Sequence, residues 1–178
     1  MDTIKVLDKK FNLYIPQEEI ESVIKNIAIQ INEDYKDKNP LFLVMLNGAF
    51  MFASQLFKEL SIDCETSFVK YSSYEGTQST CEVKELIGLN SSLEGRDIII
   101  VEDIIDSGFT MNCLLQKLQT MKVASAKIAT MLFKPNAFKF DYNIDYVGMN
   151  IGNEFIVGYG LDYNEHGRNY SSIYKVVE

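Results

Sequence analysis

The chain is predicted to be an α/β protein built on a parallel sheet, and three stretches carry that prediction. Leu41–Leu46 and Ile98–Val101 are apolar runs, the second of them wholly β-branched, the pattern of strands buried on both faces. Each is followed by a short turn and then by apolar residues at helical spacing. These are Ala49, Ala53, Leu56, Phe57 and Leu60 after the first run, and Met111, Leu114, Leu115, Leu118 and Met121 after the second. A third run, Ala126–Phe133, reads as a further strand. Repeated strand–loop–helix units imply parallel strands whose carboxyl ends share one edge, where such sheets bind ligands.

The remaining elements follow in order. Residues 3–15 hold short apolar stretches and read as an irregular arm or edge strands. Pro16 opens a helix in which Ile20, Val23, Ile24, Ile27, Ala28 and Ile31 recur at three and four residues, ending near Tyr35 before the turn signal Asp37-Lys38-Asn39-Pro40. Ile62–Tyr71 and Cys81–Leu86 read as the two arms of a long hairpin whose polar tip, Ser72–Thr80, suits a mobile loop. Val147–Ile151 and Phe155–Tyr159 read as a final pair of short β segments.

Bulk properties narrow the class. At 178 residues, 47% apolar and 24% charged, the chain fits a single domain, 1–178, with a core of its own. A formal charge of −8 argues against non-specific nucleic-acid binding and against docking on an acidic membrane. Met1–Lys5 lacks the apolar core of a secretory signal, and no apolar run reaches membrane-spanning length. Cys64, Cys81 and Cys113 are widely spaced, and His166 is the only histidine. Neither a disulfide framework nor a zinc site is expected, so a reducing cytoplasm fits.

The chemistry concentrates after Val101. Glu102 and Asp103 are read at the strand's end, and Asp106-Ser107-Gly108-Phe109-Thr110 leads into the next helix. The first N–H groups of a helix lack internal partners and carry positive potential, so this turn suits an anion. Gly108 lets backbone approach a ligand, and Ser107 and Thr110 add hydroxyls. The three acids beside it repel bare phosphate. They suit sugar hydroxyls, a divalent cation or a proton on nitrogen, and a ribose 5′-phosphate bearing a metal-bound diphosphate combines all of these. From the residues alone, a solvated strand end with Ser107 as an ordinary N-cap stays open.

The stretch closely resembles the phosphoribosyl-diphosphate (PRPP) binding motif of purine phosphoribosyltransferases, two acids followed by D-[ST]-G-x-T, and in detail the hypoxanthine/guanine branch. The resemblance implies the type I fold: a Rossmann-like parallel core, a long flexible β-hairpin, and a small hood from the N-terminal arm and the C-terminal segment, about 135–178. It also implies site residues. Leu46-Asn47-Gly48-Ala49 resembles the diphosphate loop, with Asn47 where lysine is frequent and with an expected cis Leu46–Asn47 bond. Ser73-Tyr74 resembles the pair on the catalytic flexible loop that closes over the diphosphate. Lys134 matches the lysine that contacts the purine's exocyclic oxygen, Phe155 the aromatic that stacks on the base, and Ile156 the residue whose backbone reads the base edge. Asp162 matches an acid beside a metal and the base, and Arg168 the arginine near the diphosphate.

The implied reaction is transfer of 5-phosphoribosyl from PRPP to N9 of hypoxanthine, and of guanine. Backbone from Asp106 through Ser107, Gly108, Phe109 and Thr110 would hold the 5′-phosphate, and Glu102 and Asp103 the ribose hydroxyls. Mg²⁺ would sit near Glu102, Asp103 and Asp162, and Asp106 would take the N7 proton. A homodimer or homotetramer is implied. Two other readings compete: a non-catalytic nucleotide- or RNA-binding regulator on the same fold, and a phospho-receiver domain. The retained Lys134 and Phe155 speak against the first, and the helix-opening Asp106–Thr110 turn against the second.

Overall fold

The parallel sheet is present, and its strand order explains where the loops meet. The computed structural model describes residues 2–72, 84–87 and 93–177. Along the chain it forms β1 (Thr3–Val6), β2 (Lys9–Ile15), α1 (Gln17–Asp34), β3 (Leu41–Met45), α2 (Phe50–Glu59), β4 (Glu65–Ser72) and β5 (Lys84–Ile87). Then follow β6 (Asp97–Ile105), α3 (Phe109–Thr120), β7 (Ser125–Phe133), β8 (Tyr146–Asn150), β9 (Ile156–Val157) and β10 (Ile173–Val176). The large sheet has the order β5-β4-β3-β6-β7-β8. All its pairings are parallel except that of the edge strand β5 with β4.

Burial accounts for the central elements. Every residue of β3 is buried, as are Ile98–Val101 of β6, as expected of strands covered on both faces. One stripe of α1, Ile20, Ile24, Ile27, Ala28 and Ile31, is buried, and each isoleucine there contributes roughly 1.5–3 kcal/mol. Beyond that stripe, Asp34 accepts from Tyr146 Oη at 2.6 Å and from Lys127 Nζ at 2.8 Å, tying α1 to β7 and β8.

Three boundaries differ from the sequence reading. The N-terminal arm is regular: β1 and β2 pair antiparallel and join β10 and β9 in a second, four-stranded sheet, the hood. Its own small core is Val6, Phe11 and Val157. The two late β segments do not pair with each other, because β8 extends the large sheet beside β7 while β9 pairs with β10 in the hood. Strand β6 runs on to Ile105, so Glu102 and Asp103 lie within it and not beyond it. Ile105 is buried, and its apolar side chain keeps the last residues paired with β7.

Cys64 is a free thiol, while Cys113 on α3 is disulfide-bonded, a bridge its spacing did not suggest. Among the described residues no helix is long and apolar enough to cross a membrane.

Candidate active site

Strand order creates the site. β3 and β6 are neighbours, with Val44 opposite Val101. From β3 the chain passes through α2 to β4 on one side, and from β6 through α3 to β7 on the other. Connections that diverge from two adjacent strands leave a crevice at their carboxyl ends. The loop after β3 and the loop after β6 are therefore side by side.

Close packing sets the loop after β3 against the end of β6 and the tail of the hood. A Cβ on Gly48 would collide with the Asp103 carboxylate, and one on Gly160 would collide with the Gly48 carbonyl oxygen. Gly160 also has φ +95°, a left-handed conformation that suits glycine. The diphosphate-like loop, the acid pair and the tail of the hood thus converge. The Leu46–Asn47 peptide is cis, as the resemblance implied.

The phosphate-like loop opens α3. Gly108 occupies the N-cap with φ +81°, and no side chain caps the helix. Ser107 Oγ lies 3.4 Å from the Phe109 amide, a long contact that leaves the helix start receptive to a stronger acceptor. Asp106–Met111, with Glu102, Ile104 and Ile105, line a cavity of about 130 Å³. Tyr142 Oη donates to the Gly108 carbonyl at 2.8 Å, and Phe138 and Tyr142 crowd the face where a Cβ on Gly108 would lie. Phe138 and Tyr142 themselves meet edge to face at 5.0 Å. Sequence reasoning missed this aromatic roof, since residues 138–142 belong to no periodic element.

Lys134 and Asp106 are brought together by register. Ile105 pairs with Phe133, the Lys134 amide donates to the Ile105 carbonyl at 2.9 Å, and Lys134 Nζ reaches Asp106 Oδ2 at 3.1 Å. The lysine is nearly buried while Asp106 is half exposed, so the pair faces the crevice with its carboxylate outward.

The acid pair is electrostatically uncomfortable. Burial, and then the neighbouring Asp103 carboxylate, push Glu102 well above the usual carboxylate range. Burial also raises Asp103, opposed by hydrogen bonds from Glu102 and from the Ile104 amide, the latter at 2.8 Å. Asp162 is held by groups of its own segment. Its carboxylate contacts Arg168 at 2.8 Å and accepts from the Glu165 amide at 2.7 Å. Arg168 also meets Glu165 at 2.9 Å and donates to the Gly160 carbonyl at 2.9 Å. Among the described residues no group of three or more His, Cys, Asp or Glu side chains could hold a metal ion.

On the hood, Phe155 is exposed and packs against Tyr163 and Phe11, with ring centroids 5.7 Å and 6.1 Å away. Ile156 is buried and pairs with Lys175. Ser73 and Tyr74 lie outside the described residues. Two partners that the sequence did not single out are Glu165, which holds Arg168, and Lys70, whose Nζ donates to Asn47 Oδ1 at 3.1 Å.

A parallel sheet that presents a glycine-opened helix start beneath an antiparallel hood is the architecture of a phosphoribosyl-transferring enzyme. The comparisons agree. The model of the phosphoribosyl transferase domain matches residues 15–164. The hypoxanthine-guanine phosphoribosyltransferase of Staphylococcus epidermidis is 42% identical over 159 residues, 89% of each chain, and that of Bacillus subtilis is 42% identical over 156 residues, 87% of each. The crystal structure of a hypoxanthine phosphoribosyltransferase from Staphylococcus aureus superposes with a TM-score of 0.89 at 39% identity, covering 93% of this chain and 91% of that one. The chain belongs to the phosphoribosyltransferase family, in its hypoxanthine-guanine branch.

Proposed function

We propose that the chain transfers 5-phosphoribosyl from PRPP to N9 of hypoxanthine and of guanine, giving the nucleoside monophosphate and diphosphate. The Lys134–Asp106 pair carries this reading: an ammonium and a carboxylate 3.1 Å apart beside the phosphate-like loop. A 6-oxopurine presents a carbonyl oxygen and an N7 proton on one edge, matching a donor and an acceptor set side by side. Adenine presents an amino group where Lys134 needs an acceptor, and is disfavoured.

The residues divide the work. Amides at the start of α3 hold the 5′-phosphate, and Glu102 and Asp103 orient the ribose. N9 attacks C1′ as the bond from C1′ to diphosphate breaks, and Asp106 accepts the N7 proton. Positioning and charge complementarity then supply most of the rate. Phe155 supports the base from the hood, Ile156 offers backbone to its edge, and Asp162 keeps Arg168 directed toward the diphosphate end.

The acid pair fits a divalent cation. The adjacent carboxylates of Glu102 and Asp103 supply hard oxygen donors, and among the described residues no third acid joins them in a metal-holding group, which suits Mg²⁺, since it keeps waters and takes most of its ligands from phosphates. When bound, Mg²⁺ would neutralise diphosphate charge. Asp162, already paired with Arg168, would orient that arginine near the metal and diphosphate without itself serving as a direct ligand. A homodimer or homotetramer is part of the same reading, and light scattering on the purified chain decides between them.

Initial rates with PRPP, Mg²⁺ and each of hypoxanthine, guanine, xanthine and adenine test the proposal. Turnover of hypoxanthine and guanine with negligible turnover of adenine is expected. Equal use of adenine, or no release of diphosphate with any base, would overturn it.

A further inference from the structure

The loop after β3 has no cation of its own, because Asn47 stands where lysine is frequent in loops of this kind. A cation nonetheless reaches it from the next strand. β4 runs parallel to β3 with Val69 opposite Met45, and the Leu46 amide donates to the Val69 carbonyl at 2.8 Å. That register sets Lys70 against the loop, where its Nζ donates to Asn47 Oδ1 at 3.1 Å. Lys70 is half-buried. Its partner in this contact is a neutral amide oxygen, so the contact itself sets no opposite charge against the ammonium and uses one of its three protons.

A second cation lies near the same loop. Gly160 abuts the Gly48 carbonyl, and Arg168 donates to Gly160 O at 2.9 Å. Lys70 and Arg168 both act on the Glu165 carboxyl, lowering its proton affinity, which places the two charges in one neighbourhood. Arg168 already meets two carboxylates, Asp162 and Glu165. An anion seated on the 47–48 backbone would have both Lys70 and Arg168 in its neighbourhood.

We propose that Lys70 is a diphosphate-binding residue of this chain: it supplies from β4 the positive charge that Asn47 lacks, and the Asn47 amide holds its ammonium over the loop. The inference rests on the diphosphate-loop reading given under Proposed function. It predicts that the charge of Lys70 matters for diphosphate and PRPP, and little for the purine.

Calorimetric titration of the full chain with inorganic diphosphate in Mg²⁺ buffer, alongside steady-state kinetics, tests it. Lys70→Gln keeps an N–H donor for Asn47 but removes the charge. It should weaken diphosphate binding and raise the PRPP KM about tenfold, the scale of one lost charge-assisted hydrogen bond. The hypoxanthine KM should stay within roughly twofold of the wild type, and Lys70→Arg should bind diphosphate nearly as the wild type does. The double variant Asn47→Lys/Lys70→Met, which returns the charge to the loop itself, should regain most of the affinity that Lys70→Met loses. It also reports on the charge should Lys70→Gln fold poorly. Wild-type affinity in Lys70→Gln, or no recovery in a folded double variant, would overturn the assignment of Lys70 while leaving the loop reading intact. Failure of the wild-type chain to bind diphosphate at all would overturn both.

Discussion

At Asp106 the structure places a half-exposed carboxylate against a nearly buried ammonium, and the two differ in what they should control. Asp106→Asn preserves shape and a hydrogen-bond acceptor for Lys134 but loses proton affinity. Turnover should fall about 10²–10³-fold, the typical weight of a general base, with the PRPP KM nearly unchanged. Because Asp106 is exposed, folding should barely respond, so thermal denaturation separates loss of chemistry from loss of structure. Glu102 is the opposite case. Burial and Asp103 raise its proton affinity in the folded chain, so the folded state binds a proton that the unfolded state has released. Stability from this group is present below the unfolded value of about 4.3 and declines as pH rises from there through the raised folded value. In EDTA, Glu102→Gln should therefore melt higher than the wild type at pH 7.5, and the gap should narrow at pH 4.5. A gap independent of pH would show that the pair is not strained by charge.

Much at the level of elements was legible in the sequence, and the reason is periodicity. The stripe Ile20–Ile31, the apolar runs of β3 and β6, and the helix-opening Asp106–Thr110 turn each carry a local pattern that burial enforces. Lys134 and Asp106, 28 residues apart, became a pair only through the register of β6 with β7. The hood's regularity was not legible, because β1 and β2 are short and their partner β10 is far along the chain. Phe138, Tyr142 and Lys70 were missed for a related reason: each acts through one long-range contact that no spacing announces. Gly160 illustrates what such contacts demand. It has φ +95°, and a Cβ there would strike the Gly48 carbonyl. Gly160→Ala combines backbone strain with a clash, so a loss of about 1–3 kcal/mol is expected. It should also raise the PRPP KM by displacing the loop after β3. A normal PRPP KM in a destabilised protein would mean that the hood and that loop move independently.

Across the whole molecule, the hood joins the main core through Ile15, Ile156 and Ile173, and its tail abuts the loop after β3 where the backbones of Gly48 and Gly160 meet. The small hood core of Val6, Phe11 and Val157 cannot supply much cohesion of its own. A ligand that touches the α3 start, the loop after β3 and Arg168 at once would bridge both sheets. Binding to the folded state alone stabilises by about 2.7 kcal/mol when free ligand is a hundredfold above its Kd. For a domain of this size that corresponds to a rise in Tm of roughly 5–10 °C. If the ligand acts as a clamp between sheets, the gain should not be confined to the residues it touches. Amide hydrogen exchange with and without Mg²⁺ and nucleoside 5′-monophosphate plus diphosphate should show slower exchange at 46–49 and 106–110, and also along β9 and β10. Protection limited to the large sheet, with β9 and β10 exchanging as in the free protein, would mean that the hood covers the ligand without being held by it.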